Sequence, residues 1–291
     1  MLKGSFVALV TPFKNNDIDF SSLENLIDFH ITNQTDGILL CGTTGEAPSL
    51  SSEERDKLLD FCSKKINRQT KIMIGTGTNN LEHTIELTRQ AEKLGADFAL
   101  VITPYYNKPT QSGLYHYFKE VHDKTNIPIV IYNVPGRTGV NISSKITTLL
   151  SKECDRIVGI KEASGNIVQA SEIIRDTDPE FSLMSGEDAL NWPLLSIGAK
   201  GVISVTANIL PKELHNLVSF SEQNKIEEAK EMHLKLLEIN RKMFLETNPI
   251  PVKTTLHLMN KITEEIRLPL YKMSEINIKT LTECLIKYTL I

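Results

Sequence analysis

The sequence predicts an α/β fold, a (β/α)8 barrel that carries a C-terminal helical extension. Short apolar runs recur along the chain: FVALV (6–10), GILLC (37–41), KIMIG (71–75), FALVI (98–102), PIVIY (128–132), RIVGI (156–160), FSLMS (181–185) and GVISV (201–205). Helical periodicity fills the stretches between them. Beyond about residue 210 the strand signals stop and only helical patterns follow. Strands apolar on both faces, joined by helical crossovers, imply a parallel sheet covered on both sides. Eight such units in roughly 220 residues suit a closed barrel, with a doubly wound open sheet as the competing fold.

Each element has a local reason. In SSLENLIDFHI the apolar residues Leu23, Leu26, Ile27 and Ile31 share one helical face behind a capping box of Ser21 and Glu24. Ser51 and Glu54 repeat that signal in the next helix. A third helix is expected from Asn79 to Leu94, opened by asparagine and closed by Gly95. EEAKEMHLKLLEINRKMF and IKTLTECLIKYTL read as helices only, so residues 1–224 are expected to form the barrel and 225–291 an extension packed on it. No low-complexity linker divides the two, and Pro249 and Pro251 in NPIPVK read as helix punctuation.

Composition narrows the function. With 291 residues, 41% apolar, 23% charged and a formal net charge of −4, the chain has no basic surface that would draw nucleic acid or an anionic membrane. Small molecules are the expected partners. Cys41, Cys62, Cys154 and Cys284 are scattered without C-x-x-C spacing, which points to reduced thiols. The seven histidines form no H-x-H or H-E-x-x-H pair, so a catalytic metal is not expected. The N-terminal MLKGSFVALVTPF has too short an apolar run for a signal peptide, and no segment is long and apolar enough to span a membrane. A cytoplasmic location is the expectation.

In such barrels the chemistry sits on loops at the C-terminal ends of the strands. Those ends carry GTTGE (42–46), TPYYNK (103–108), YNVPGRTG (132–139), Lys161, SGED (185–188) and Ser204-Val205-Thr206. Lys161 closes an apolar strand. Desolvation there disfavours the ammonium, and a partly neutral amine can form a Schiff base with a carbonyl. A rim lysine paired with Glu162 is the competing reading. Tyr132, one strand away, could donate and accept a proton in the same cavity, or could be an ordinary buried tyrosine. Thr43 and Thr44 could hold a small carboxylate, or mark a plain tight turn. Arg137 offers a planar fork for a second carboxylate, or is a solvated loop arginine. GTGTNN (75–80) lacks the third glycine of a dinucleotide loop, which argues against NAD.

Taken together, GTTGE, TPYYNKP, YNVPGRT, GIKEASGN (159–166) and GVISVTAN (201–208) resemble the motif set of the dihydrodipicolinate synthase family, within the pyruvate-dependent class I aldolases. The likeness runs from GSFVALVTPF to NPIPVK, essentially the whole chain. It implies that Lys161 forms an imine with pyruvate and that Tyr132 shuttles protons, with Thr43 as relay. Tyr106 matches a relay tyrosine inserted from a neighbouring subunit, which implies a tight dimer and commonly a homotetramer. Thr44, with Thr43, would hold the pyruvate carboxylate, Arg137 would bind the carboxylate of L-aspartate 4-semialdehyde, and Gly186 and Ile203 would complete the substrate pocket. The implied reaction belongs to the diaminopimelate route to lysine and needs no cofactor.

The family's lysine feedback site lies between subunits, near Ala47 to Arg55 and Asn79 to His83. Asn79 and Tyr105 fit it, whereas Arg55 and His83 depart from it, so weak or absent feedback inhibition is expected. The nearest alternative is another Schiff-base lyase of the superfamily, such as N-acetylneuraminate lyase or a keto-deoxy sugar acid aldolase. Arg137 and the paired tyrosines of TPYYNK favour the synthase. A non-catalytic barrel would be expected to have lost at least one of these residues. A pyridoxal phosphate enzyme would need a phosphate cradle that cannot be assigned.

Overall fold

A computed structural model describes all of residues 1–291. Eight strands, β1 (Gly4–Ala8), β2 (Gly37–Leu40), β3 (Lys71–Gly75), β4 (Phe98–Ile102), β5 (Ile129–Asn133), β6 (Ile157–Glu162), β7 (Ser182–Ser185) and β8 (Gly201–Ser204), close into a parallel barrel in chain order. The ring shuts where β1 lies between β8 and β2, with Gly4 opposite Gly201 and Phe6 opposite Gly37. Each strand is followed by a helix: α1 (Phe20–Thr32), α2 (Ser52–Ile66), α3 (Leu81–Lys93), α4 (Gln111–Asp123), α5 (Ser144–Glu153), α6 (Ile167–Asp176), α7 (Asn191–Ser196) and α8 (Pro211–Glu222). The open-sheet alternative is thereby removed.

The strands need two apolar faces because there are two cores. Phe6, Leu39, Met73, Leu100, Val130 and Met184 fill the barrel interior, with Leu2 among them. Val7, Ile38, Ile74, Val101, Ile131 and Ile160 face outward to the helices. Side-chain alternation sorts one run of apolar residues between these layers.

On β6 the alternation is interrupted, and this decides where Lys161 goes. Ile129 pairs with Ile157, but the next residue, Val130, pairs with Gly159, so β6 carries one extra residue. Ile157 and Ile160 both face the helices. Strict alternation from Ile157 would have put Lys161 outside as well; the bulge reverses the parity and turns it inward.

Local signals mostly hold, with shifts at the ends. Helix α2 opens with the expected capping box: Ser51 Oγ accepts from Glu54 N at 3.1 Å, and the Glu54 carboxylate accepts from Ser51 N at 2.9 Å. Helix α1 does not use Ser21 as its cap. It starts earlier, and Asp19 caps it by accepting from Ser22 N at 3.1 Å, because a carboxylate before Phe20 intercepts the first free amides. In α3 the cap is Asn80, one residue beyond the expected Asn79. Strand β1 begins two residues before the FVALV run, since Gly4 and Ser5 complete the pairing with β8.

After the barrel, α9 (Ile226–Lys242) packs along α8 and α7, and α10 (Ile250–Leu258) and α11 (Glu275–Lys287) pack on each other. NPIPVK does more than punctuate. It opens α10 and is buried from Asn248 to Lys253, reaching loops of the barrel mouth. The four cysteines are free and buried. No helix is long and apolar enough to cross a membrane, and no cluster of three His, Cys, Asp or Glu is placed to hold a metal ion.

Candidate active site

Lys161 and Tyr132 are register partners at the C-terminal ends of β6 and β5. Both side chains enter the barrel mouth, where Lys161 is 6% and Tyr132 7% exposed. The Lys161 ammonium nitrogen stands 4.5 Å from the centroid of the Tyr132 ring. It pairs with no carboxylate. Burial drives the lysine pKa from 10.5 down to about 8; the nearby Asp188 carboxylate works against that fall and the Arg137 guanidinium adds to it.

Glu162, the candidate partner of a rim lysine, faces the other way. Its carboxylate is buried behind the barrel, accepting from Asn133 Nδ2 at 3.0 Å, Gln169 Nε2 at 3.1 Å and Ser164 N at 2.6 Å. The rim reading therefore fails.

Burial also pushes the Tyr132 phenol above its ordinary pKa, opposed by Arg137 and the Thr43 hydroxyl beside it. Thr43, Tyr132 and Arg137 share a cavity of about 500 Å³ with Tyr105, Arg55, Asn79 and His83. Arg137 stands in the single turn Pro135–Thr138, whose opening proline sets the chain direction. Its Nη2 donates to the Asn248 carbonyl at 3.2 Å, and Asn248 Nδ2 donates to Thr44 Oγ1 at 3.0 Å. Asn248 thus bridges the loops after β2 and β5.

Gly186 lies directly on the lysine. A Cβ there would sit 3.0 Å from both Cγ and Cε of Lys161 and 2.9 Å from Ala163 Cβ, so only glycine leaves the amine its path. Ile203 lines the barrel interior, 2% exposed. Two residues beyond Gly186, Asp188 accepts from Val205 N and Thr206 N, each at 2.9 Å, and from Asn191 Nδ2 at 3.1 Å. It ties the β7 exit loop to the β8 exit loop.

Tyr106 is the candidate that the single chain does not bring to the others. It is 87% exposed, with a backbone φ of +71° that a bulky residue seldom adopts. Asn248, Lys253 and Asp188 were not among the candidates. Asp188 lies in a strand-end motif, SGED, that could have flagged it; nothing in NPIPVK signals that it reaches the mouth.

A closed (β/α)8 barrel whose mouth holds one desolvated, unpaired lysine against a tyrosine defines the class of Schiff-base lyases of the aldolase type. Residues 1–287 match the model of the dihydrodipicolinate synthetase family, and the chain belongs to that family. A 4-hydroxy-tetrahydrodipicolinate synthase from Thermodesulfovibrio yellowstonii is 52% identical over 285 residues, 98% of each chain. The crystal structure of dihydrodipicolinate synthase from Aquifex aeolicus superposes with a TM-score of 0.98 at 46% identity, covering 99% of both chains. A solved monomeric variant of dihydrodipicolinate synthase gives 0.98 at 40% identity, covering 100% of this chain and 98% of that one.

Proposed function

We propose that the chain is a 4-hydroxy-tetrahydrodipicolinate synthase, condensing pyruvate with L-aspartate 4-semialdehyde. The observation that carries the reading is the buried amine of Lys161, unpaired and 4.5 Å from the Tyr132 ring centroid. Neutral Lys161 Nζ adds to the keto carbon of pyruvate, and loss of water leaves an iminium. That cation draws electrons from the methyl group, so a methyl proton leaves and an enamine forms. The enamine carbon attacks the aldehyde carbon of the semialdehyde, whose oxygen takes up a proton. The amine of the joined product then adds to the imine carbon and expels Lys161 Nζ, closing the ring. One water is lost over the cycle.

Tyr132 and Thr43 are assigned to proton transfer, because the phenol stays protonated at neutral pH and lies beside the amine. Thr43 and Thr44 hold the pyruvate carboxylate, Arg137 holds that of the semialdehyde, and Gly186 and Ile203 form the remaining wall. Trapping with borohydride in the presence of pyruvate, followed by mass mapping, should label Lys161. A label elsewhere, or none, would sink the mechanism. Product assays comparing aspartate semialdehyde with sugar aldehydes then test the acceptor; preference for a sugar aldehyde would favour the alternative lyases.

The exposed Tyr106 supports an active form in which each subunit lends this residue to its neighbour, a tight dimer within a tetramer. Mixing inactive Lys161→Ala and Tyr106→Ala subunits should restore part of the activity; no recovery would refute the exchange. Residues 225–291 are assigned as an integral extension of the barrel, since Asn248 and Lys253 enter its loops. The four free thiols suit a reducing compartment, and the enzyme is assigned to the cytoplasm.

A further inference from the structure

Outside the chemistry just described, one salt bridge has both side chains 0% exposed, that between Lys253 in α10 and Glu46 at the end of GTTGE. Lys253 Nζ also donates to the Thr11 carbonyl at 3.0 Å and stands 4.4 Å from the centre of the Phe13 ring. Glu46 Oε2 accepts from Arg267 N at 3.0 Å, and the Arg267 guanidinium carbon lies 4.2 Å from the same ring. The carboxylate is therefore held through both oxygens by the C-terminal extension. Glu46 itself has a φ of +52°, in the left-handed region that a non-glycine residue seldom adopts.

A well-packed apolar pair of similar volume often stabilises a fold as well as a buried ion pair does, so a buried salt bridge is weak evidence of a stabilising role. The left-handed turn at Glu46 ends the five-residue loop that carries Thr43 and Thr44, and the loop is tied from the same side at two more points. Thr11 Oγ1 donates to Gly45 O at 2.8 Å, and Asn248 Nδ2 donates to Thr44 Oγ1 at 3.0 Å. The ties run from the β1 exit loop and the C-terminal extension; the strand the loop leaves supplies none of them.

We propose that the buried Lys253–Glu46 pair is a positioning device through which the C-terminal extension sets the GTTGE loop and so the grip on the carboxylate of the 2-oxo acid substrate. This rests on the assignment of Thr43 and Thr44 to that carboxylate. Neither Lys253 nor Glu46 is a catalytic residue. Their effect passes through the loop, and removing them weakens capture of pyruvate more than use of the aldehyde.

Two variants test this. Glu46→Gln keeps the shape and an acceptor oxygen, whereas Glu46→Gln/Lys253→Met removes both charges and leaves none uncompensated. Circular dichroism and thermal melting first establish that each is folded. In a folded variant the KM for pyruvate should rise at least about tenfold, while the KM for the semialdehyde stays within about twofold of the unaltered enzyme. Borohydride labelling of Lys161 at fixed, low pyruvate should fall by the same factor and recover at saturating pyruvate. A pyruvate KM within about twofold of the unaltered enzyme in the folded double variant, or equal losses for both substrates, would overturn the proposal. If neither variant folds, the pair is a folding element and the positioning role is refuted. If the unaltered enzyme gives no pyruvate adduct at Lys161, the assignment of the reaction fails first.

Discussion

Replacing Lys161 by methionine should make the protein inactive and, near neutral pH, more stable. The side chain is buried, and its pKa falls from 10.5 when unfolded to about 8 when folded. Because the folded state binds the proton more weakly, folding is penalised wherever the unfolded lysine is protonated, and stability rises with pH between about 8 and 10.5. Below pH 8 the full penalty applies, on the order of 3 kcal/mol. Imperfect packing of a methionine in place of the lysine returns up to about 1.5 kcal/mol of it.

Methionine has similar length and no charge to desolvate, so the net gain at pH 7 is about 1 to 3 kcal/mol. For a chain of 291 residues that is a rise in Tm of about 2 to 5 °C. Melting of both proteins by scanning calorimetry from pH 6.5 to 10.5 reads the difference directly, since other titrating groups cancel between them. The gain should shrink through the window from 8 to 10.5 and vanish at its upper end. A methionine variant that is no more stable at pH 7, or a gain that does not change with pH, would show that Lys161 is not desolvated as described.

Four further outcomes follow. Arg137→Ala should raise the KM for the semialdehyde or lower kcat by about 10- to 100-fold while pyruvate still labels Lys161; unchanged kinetics would remove Arg137 from the site. Gly186→Ala should cut the rate of Lys161 labelling by at least about tenfold without loss of folding, because its methyl would meet Lys161 Cγ and Cε at 3.0 Å. L-Lysine should inhibit weakly or not at all, since Arg55, which donates to the carbonyls of Gly75 and Ala47, puts a cation beside Asn79 and His83; a low-millimolar inhibition constant would refute this. Ser51→Ala should cost about 1 kcal/mol of stability through loss of the α2 cap, measured by denaturant unfolding.

The barrel was legible because parallel strands buried on both faces leave continuous apolar runs, and because Ser51 and Glu54 announce a helix through neighbours in the chain. The candidate site was legible at strand ends, where a lone basic residue after VGI has few structural reasons to be there. What escaped lies in contacts between distant residues. Asn248 and Thr44 are 204 positions apart, and Lys253 and Glu46 are 207 apart, so no local pattern links them. The facing of Lys161 was hidden for another reason. A single inserted residue in β6, visible only against the register of β5, reverses which layer it enters.

That bulge also makes sense of the glycines around the lysine. Gly159 faces the interior where a Cβ would strike Ser182 O at 2.4 Å, and Gly186 faces it where a Cβ would strike the lysine stem. With no side chains at these places, the stem of Lys161 lies in apolar surroundings and its amine stands under the Tyr132 ring. Asp188 limits how far the burial can go. Fastened by two backbone amides and Asn191, it keeps a negative charge near the amine without pairing to it, so the ammonium is destabilised but not abolished. A lysine titrating near 8 is neutral in about one molecule in ten at pH 7, against about three in ten thousand for one titrating at 10.5. That difference of about 300-fold in neutral amine is what burial at the barrel mouth contributes.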